Sequence, residues 1–324
     1  MSCTSKSPRD VLLCAYSIAQ QCLPAYGHKN NPKKFTQHQL FACLVLKNFL
    51  KTDYRGVVTH FEDCDSLSEL IELSVVPHFT TIQKAAKRLL VSQQAKRLLD
   101  QTVQRQMQRR QCVKDSAIDS TGFSATSASA YFVKRRSRKE NPWKTMVFHR
   151  YPKLGVVSDV TNHFILAFQC GSGPKPDVAE FKNLISQASR RVKLLRVIAD
   201  AGYDSESNHQ FAREEMDLRT IIPAKHGRPT DKPAKGNYRR LMQTRFDATR
   251  YKKRAQVETV MSMIKRRQGS YCKGKSYWSR CRELTLMVLT HNIMILWQNE
   301  LFYRAGQAFF FIDLVPSFLL PFNG

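Results

Sequence analysis

The stretch LLRVIADAGYD at residues 194–204 decides the fold class of this 324-residue chain. Its apolar run stops at Asp200, the pattern of a buried β-strand that ends in a turn. Helix candidates at 177–189 and 205–216 flank this stretch. Five strand candidates surround them: Cys112–Ile118, Thr145–Val157, His163–Cys170, Lys193–Ala199 and Arg219–Ile222. Strands that alternate with helices predict an α/β fold from about residue 111 onward.

The first 110 residues have a helical pattern instead. Thr36 and Gln39 have the spacing of a capping box, and further helices are predicted over 66–73, 80–90 and 92–110. The segment from Phe79 to Arg88 is typical of a recognition helix entered through a Thr cap. An amphipathic packing helix with a basic outer face explains it equally well. A domain boundary is therefore predicted near residue 110.

Two acidic residues stand where strand candidates end. Asp119 follows Ala117 and Ile118, and Asp200 follows the run described above. Ligand sites in open α/β sheets collect at the carboxyl ends of strands, so the two acids should meet if their strands are neighbours. Each acid alone is better explained as a turn-forming residue.

A third acid lies on a long helix that is predicted to begin near Asp247 or Thr249 and to end near Arg267. A count of about 100° per residue places four polar residues on one face, beside the apolar face. They are Tyr251, Arg254, Glu258 and Lys265. Glu258 taken singly is half of an ion pair with Arg254. Together with Asp119 and Asp200, however, it would complete the carboxylate set that phosphodiester chemistry with two divalent cations needs.

The charge of the chain indicates an anionic partner. Lys and Arg number 52 against 26 Asp and Glu, for a formal charge of +26. Residues 225–282 alone hold 18 basic and 3 acidic side chains, whereas an ordinary solvated face mixes both signs. Aromatic residues are interleaved with basic ones at 271–280 and in a predicted loop at 134–144, a pattern suited to nucleic acid. Candidate DNA contacts there are Arg135, Arg136, Trp143, Lys273, Lys275 and Trp278. A solvated loop is the alternative for either segment.

Composition and leader analysis exclude several classes of protein. The nine cysteines are odd in number and include no CxxC pair, which argues against a zinc knuckle or a disulfide framework. No signal peptide and no run of about eighteen apolar residues is present, so we expect a soluble intracellular protein without a membrane span.

The four residues on the predicted long helix also carry a resemblance. Tyr, two residues, Arg, three residues, Glu, six residues and Lys resembles the signature of bacterial insertion-sequence transposases with a DDE catalytic domain. The segments Ile118–Thr121 and Asp200–Ser205 are similar to the first two acidic motifs of that family. The likeness covers about 112–297. Only 57 residues separate Asp200 from Glu258, which indicates a compact member without a large insertion.

The resemblance implies an RNase H-like mixed-sheet core in which Asp119, Asp200 and Glu258 are catalytic and bind Mg²⁺, with Mn²⁺ able to substitute. It implies that Tyr251, Arg254 and Lys265 bind phosphates. The expected substrate is double-stranded DNA, both element ends and target, with no small-molecule substrate, and the protein would act as a homodimer on DNA in the bacterial cytoplasm, at the nucleoid.

Three regions are predicted on this basis: a helical DNA-binding or dimerisation region at 1–110, the DDE catalytic domain at 111–300 and an apolar tail at 301–324. Two other functions remain open at this point. One is a non-catalytic DNA-binding regulator that uses 79–90 as its recognition helix. The other is an RNase H-like nuclease that cuts strands without joining them.

Overall fold

The computed structural model describes the chain at residues 4–28, 30, 32–108, 110, 112–125, 150–225 and 233–312. Side chains are described for these residues apart from Ser92 and 297–312.

The chain as far as Met107 forms six helices. They are α1 (Pro8–Cys22), α2 (Gln37–Phe49), α3 (Tyr54–Glu62), α4 (Asp65–Leu70), α5 (Phe79–Leu89) and α6 (Ser92–Met107). The predicted capping box is confirmed at the start of α2. Thr36 Oγ1 accepts from Gln39 N at 3.1 Å, and Gln39 Oε1 accepts from Thr36 N at 2.9 Å. Two backbone donors that the first helical turn leaves unpaired are thus satisfied.

Helix α5 is the segment with the recognition-helix pattern. The predicted Thr cap is wrong, because the helix begins at Phe79 and the N-cap is His78, whose Nδ1 accepts from Thr80 N at 3.4 Å. One face of α5 packs against α2 and α3. The side chains that it buries are Ile82, Ala85, Ala86 and Leu89. Lys84 and Lys87 remain exposed on the outer face, as expected of an amphipathic packing helix.

The second part of the chain holds the strands. They are β1 (Cys112–Val113), β2 (Ser116–Gly122), β3 (Tyr151–Asp159), β4 (Ile165–Gly173), β5 (Lys193–Leu194), β6 (Arg196–Ile198) and β7 (Arg219–Ile221). Five of them form one sheet in the order β4-β3-β2-β6-β7, and β1 pairs with β5 separately. The β4–β3 and β3–β2 pairs are antiparallel, whereas β2–β6 and β6–β7 are parallel. The mixed-sheet α/β prediction is therefore confirmed.

Two strands that were predicted as continuous are each broken at the same level of the sheet. The first divides into β1 and β2 around Asp115, and the second divides into β5 and β6 at Leu195. Asp115 is 5% exposed, and its carboxylate accepts from Arg196 Nε at 2.5 Å and from Lys253 Nζ at 2.6 Å. At the break, the buried Asp115 carboxylate thus forms ion pairs with Arg196 of β6 and with Lys253, which precedes Glu258 in the chain.

Six helices lie around the sheet among the described residues, and those predicted at 177–189, 205–216 and 247–267 are each shorter than predicted. They are α7 (Phe181–Ser189), α8 (Glu206–Gln210), α9 (Asn237–Thr244), α10 (Ala248–Tyr251), α11 (Ala255–Gln268) and α12 (Tyr277–Ile312). A 3₁₀ turn at Asp177–Glu180 precedes α7, and a π-helical turn at Phe211–Glu215 follows α8.

The long helix that was predicted from Asp247 to Arg267 is not continuous. Asp247 is its N-cap, as one of the two predicted options had it, and its side chain accepts from Arg250 N at 3.0 Å. A 3₁₀ turn at Lys252–Arg254 then separates α10 from α11. Because a 3₁₀ turn holds about 3.0 residues against 3.6 in an α-helix, the angular count that placed Tyr251 beside Glu258 does not apply across it.

One hydrophobic core runs through the helices and the sheet. Helix α12 is central to it, since Asn292 Oδ1 accepts from Ile165 N at 3.0 Å in β4 and Asn292 Nδ2 donates to Thr102 Oγ1 at 3.4 Å in α6. The helix crosses the predicted boundary at residue 300, so the separation of a tail at 301–324 stays a prediction. No helix in the described ranges is both long and apolar enough to cross a membrane.

Candidate active site

Asp119 and Asp200 lie where β2 and β6 separate. The parallel register pairs Ser116 with Val197 and Ala117 with Ile198. The ladder ends there, and Asp119 and Asp200 each follow the last paired residue of their strand by two positions. Strand β2 continues to Gly122 along β3, so Asp119 lies inside the strand rather than at its end. Strand β6 ends at Ile198, so it is not paired with β2 at the level of Asp119.

Only Asp200 has the turn-forming role that the sequence allowed. Its Oδ1 accepts from Gly202 N at 2.9 Å, which starts a 3₁₀ turn, whereas Asp119 Oδ1 accepts from Ser120 N at 2.8 Å within β2. No described residue donates a hydrogen bond to the second oxygen of either carboxylate. One oxygen of each acid is therefore bound to the backbone, and the other is available to a ligand.

The electrostatic environment of Asp119 includes both other candidate acids. The pKa of the Asp119 carboxyl is raised to about 6, chiefly by burial and also by the charges of Asp200 and Glu258. The Ser120 N hydrogen bond and the charge of Arg254 oppose this rise. A carboxyl group whose ionised form is disfavoured by burial and by nearby carboxylates is a candidate for cation binding.

Glu258 reaches the site from helix α11, which packs against β2. The predicted border position is confirmed by the buried neighbours Val257, Val260, Met261 and Ile264. The Glu258 side chain is 53% exposed, and its Oε1 accepts from an Arg254 terminal nitrogen at 2.5 Å. The ion pair that the sequence offered as an alternative is thus present in this conformation.

Three carboxylates are the type of donor set that a hard divalent cation prefers, but the three side chains do not converge on one point. Carboxylate oxygens are the ligands that Mg²⁺ prefers. Among the described residues, no three His, Cys, Asp or Glu side chains lie close enough together to hold a metal ion. Asp119 and Asp200 are in place on adjacent strands, whereas Glu258 faces Arg254. Metal binding by all three would require Glu258 to leave Arg254.

The other residues of the predicted signature occupy different places. Lys265 lies on the β2 side of α11, where its Nζ donates to Thr121 Oγ1 at 2.6 Å and lies 5.3 Å from the Phe123 ring centroid. Tyr251 instead packs against Phe246, with ring centroids 5.0 Å apart. Lys265 thus contacts Thr121, which is two residues after Asp119 in β2. Tyr251 precedes the 3₁₀ turn and lies on a different helix, α10.

A group of polar residues that the sequence analysis missed adjoins Asp119. Ser120 Oγ donates to Asp177 Oδ1 at 2.6 Å, and the buried Lys153 Nζ contacts the same oxygen at 2.6 Å and Glu180 Oε1 at 3.1 Å. Asp177 had been assigned only to a helix start. No sequence signal marks this group, because its members come from three elements that only the fold brings together.

The remaining DNA-contact candidates divide into two groups. Lys273, Lys275 and Trp278 lie on the loop before α12 and at its first turn, and all are exposed, Trp278 by 70%. Arg135, Arg136 and Trp143 lie outside the described residues. An isolated bridge between Ser124 and Tyr271 joins the exposed segment to the chain beyond β2. The segment that carries Lys273, Lys275 and Trp278 is thus joined to the chain just after β2, the strand that contains Asp119.

Comparison with solved structures finds transposases at low similarity. The piggyBac transposase synaptic complex with hairpin DNA has a TM-score of 0.38 and 11% identity, over 98% of this chain and 81% of that chain. The Mos1 mariner paired end complex with Mn has a TM-score of 0.22 and 12% identity, over 83% and 81%. These scores are too low to carry an argument about this chain. Curated protein sequences give no match.

Comparison with family models gives a match to the family described as Transposase DDE domain over residues 112–293. The match covers more than half of the 324 residues. It spans the sheet, Asp119, Asp200 and Glu258, and it ends inside α12. The chain belongs to the transposase DDE domain family.

Proposed function

We propose that this protein is a DNA transposase that cleaves the ends of an insertion sequence and joins them to target DNA by metal-dependent DDE phosphoryl transfer. The observation that carries the proposal is that Asp119 and Asp200 follow the last paired residues of two adjacent parallel strands, with the helix of Glu258 packed on β2. Phosphoryl transfer needs acids that converge on a small volume, and adjacent strands of one sheet favour such convergence.

Asp119, Asp200 and Glu258 are the residues that would hold Mg²⁺ or Mn²⁺ in this mechanism. The bound cations would supply Lewis-acid stabilisation of the attacked phosphodiester. Asp119 and Asp200 keep fixed positions because Ser120 N and Gly202 N hold one oxygen of each. The chain therefore contributes two preorganised acids and one that moves.

Arg254 acts with Glu258 as a pair whose partners change when DNA binds. In the DNA-free protein its guanidinium neutralises Glu258. A phosphate of the cleaved strand can accept the same bidentate hydrogen bonds from Arg as a carboxylate does. Transfer of Arg254 to that phosphate would release Glu258 toward Asp119, so the site would close only when its substrate is present.

Double-stranded DNA is the proposed partner, since residues 225–282 carry most of the excess positive charge. Holding two element ends requires two active sites, so we propose a homodimer on DNA, and the bacterial cytoplasm as its location. Lys265, Lys273 and Lys275 would neutralise backbone phosphates, which predicts an affinity that falls steeply with salt concentration.

The test is cleavage and strand transfer with element-end DNA and Mg²⁺. Asp119→Asn, Asp200→Asn and Glu258→Gln should each reduce end cleavage by on the order of 10³-fold while DNA binding is retained. Lys182→Gln, a change on the exposed face of α7, is the matched control and should cleave like the parent.

Two outcomes would favour other functions. Sequence-specific binding by all three acid variants, with no metal-dependent cleavage by the parent protein, would indicate a DNA-binding regulator. Cleavage that requires the three acids but yields no joined product would indicate a nuclease.

A further inference from the structure

The start of helix α12 packs against strand β4 through two cysteines and a tyrosine. The thiol of Cys170 in β4 donates to the backbone carbonyl of Cys281 in α12, with 3.6 Å between Sγ and O. Tyr277 lies four residues before Cys281 and therefore on the same face of α12. Its hydroxyl donates to the Cys170 carbonyl oxygen at 3.4 Å. These two contacts place the Cys170 side chain against the face of α12 that carries Cys281.

Both cysteines also line one cavity, which has a volume of about 370 Å³. Its wall includes Tyr277 and Trp278, which are 43% and 70% exposed. Cys170 and Cys281 are half-buried, and neither forms a disulfide bond. A small oxidant in this cavity therefore meets both thiols.

The two thiols differ in how readily they lose their proton. The pKa of the Cys281 thiol is lowered to about 7, chiefly by a hydrogen bond from the Cys170 side chain and also by the Tyr277 hydroxyl and the charge of Arg282, although burial opposes this effect. The same hydrogen bond raises the pKa of the Cys170 thiol, and so does burial. Because the thiolate is the reactive form of cysteine, Cys281 is the nucleophile of the pair.

A third cysteine lies near the pair but is less suited to react. Cys272 is 1% exposed, and it is not among the described residues that line the cavity. Burial is the chief reason that the pKa of its thiol is raised to about 12. Its backbone N–H donates to Ser124 O at 2.8 Å, so it is held to the segment after β2. Cys170 is therefore the partner that the structure offers to Cys281.

We propose that Cys170 and Cys281 form a redox-active dithiol, in which Cys281 reacts with a peroxide and Cys170 then closes a disulfide bond. In the first step the Cys281 thiolate attacks a peroxide oxygen. An S–O bond forms, the O–O bond breaks, and the leaving oxygen takes up a proton, which leaves a sulfenic acid on Cys281.

In the second step the Cys170 sulfur attacks the Cys281 sulfur. The S–S bond forms, the S–O bond breaks, and the proton of the Cys170 thiol leaves with the hydroxyl group as water. Two thiols thus lose two electrons in total, and with hydrogen peroxide the oxidant is reduced to two molecules of water.

The disulfide would join β4 covalently to the start of α12, close to Trp278. This inference goes beyond the proposed function and does not depend on it, because neither step involves DNA, a metal ion or the three candidate acids. It assigns a modification site to a face of the molecule whose cysteines have no role in phosphoryl transfer.

The experiment treats the reduced, DNA-free full-length protein with hydrogen peroxide and then blocks the remaining thiols. Mass spectrometry of the peptides should show a Cys170–Cys281 disulfide. Cys170→Ser should stop at the sulfenic acid of Cys281, which dimedone traps, and Cys281→Ser should lose the disulfide altogether. Cys64→Ser is the matched control, since Cys64 is an exposed cysteine outside the pair, and it should form the disulfide like the parent protein.

Thermal unfolding of each reduced variant checks that it is folded. The disulfide map of the parent protein needs no substitution, so it decides the matter if either cysteine of the pair is required for folding. The inference is overturned if the parent protein keeps both thiols under conditions that oxidise free cysteine, or if Cys281 is joined to Cys272 or to a second chain instead. Loss of the disulfide in Cys64→Ser would overturn it as well.

Discussion

Asp119 combines a structural contact with the chemical role that we propose for it. Its Oδ1 accepts from Ser120 N within β2, while its pKa is raised to about 6, chiefly because the carboxyl is buried and also because of the charges of Asp200 and Glu258. The same burial that makes the carboxylate receptive to a cation destabilises the fold when no cation is bound. Function and stability are thus in conflict at this residue.

The conflict gives a pH-dependent prediction for Asp119→Asn. Between about pH 4 and 6 the folded protein retains a proton that the unfolded chain has released, so Asp119 costs stability as the pH rises through this window. Near pH 7 and without metal, Asp119→Asn should therefore be more stable than the parent, by about 2–3 kcal/mol at most. The difference should vanish near pH 4. Thermal unfolding with a chelator present, at both pH values, measures it.

A parent protein that is as stable as the Asp119→Asn variant at pH 7 would show that burial and the neighbouring carboxylates do not raise the pKa of Asp119. Ser172→Ala, on the far strand β4, serves as the control and should show no such pH dependence.

At the scale of elements, the segment that leads to Glu258 is held by the loop that follows Asp200. Glu206 Oε1 accepts from Tyr238 N at 3.0 Å, and Glu206 Oε2 accepts from Arg239 N at 3.1 Å, so this acid caps helix α9 from another part of the chain. Asp204 adds an ion pair to Arg239 at 2.7 Å. The elements that carry the second and third acids are thereby connected.

Gly236 makes this contact possible, and its substitution is the second prediction. Its φ is +103°, and an added Cβ would lie 2.2 Å from the Glu206 carboxylate. Gly269, at the end of α11, has a φ of +105° with nothing within 4 Å of an added Cβ. Gly269→Ala should cost about 1–3 kcal/mol from backbone strain alone, and Gly236→Ala should cost more because it also displaces Glu206.

Chemical unfolding in urea measures both variants. Equal losses of stability would mean that the contact of Glu206 with the start of α9 contributes little to stability. The segment after Asp200 would then not hold α9 in place.

At the scale of the whole molecule, the helical region and the sheet region share their interior. Asn48 in α2 donates to Gln268 of α11 and, at 3.2 Å, to Thr290 of α12. Ser5 N donates to Met294 O at 2.9 Å, so α12 also contacts the start of the chain. These buried hydrogen bonds join parts of the chain that are more than 200 residues apart.

The shared interior predicts that the full chain unfolds in one cooperative transition. Fluorescence, circular dichroism and calorimetry should give the same midpoint, because exposing either region uncovers the core of the other. Asn48→Leu should lower that midpoint for all probes together, since it leaves Thr290 and Gln268 without their buried partner. Two separated transitions would show that residues 1–110 form an independent domain.

The sequence by itself determined the fold class and pointed to the candidate acids. The apolar run that stops at Asp200 marks the end of a strand, whereas the run before Asp119 stops inside one, because β2 continues to Gly122. The capping box and the charge of residues 225–282 are local features that spacing and composition reveal. The ion pairs of Asp115 with Arg196 and Lys253 instead join residues that are far apart in the chain, so no local pattern contains them.

Only the tertiary structure decided which side chains share the site. Asp119 and Asp200 meet because β2 and β6 are neighbours in the sheet, whereas Asp177 and Lys153 enter from elements whose sequences carry no sign of it. Spacing along a helix or strand is fixed by backbone geometry and is therefore readable from the sequence. Proximity across elements depends on how whole elements pack, and that is a property of the complete fold.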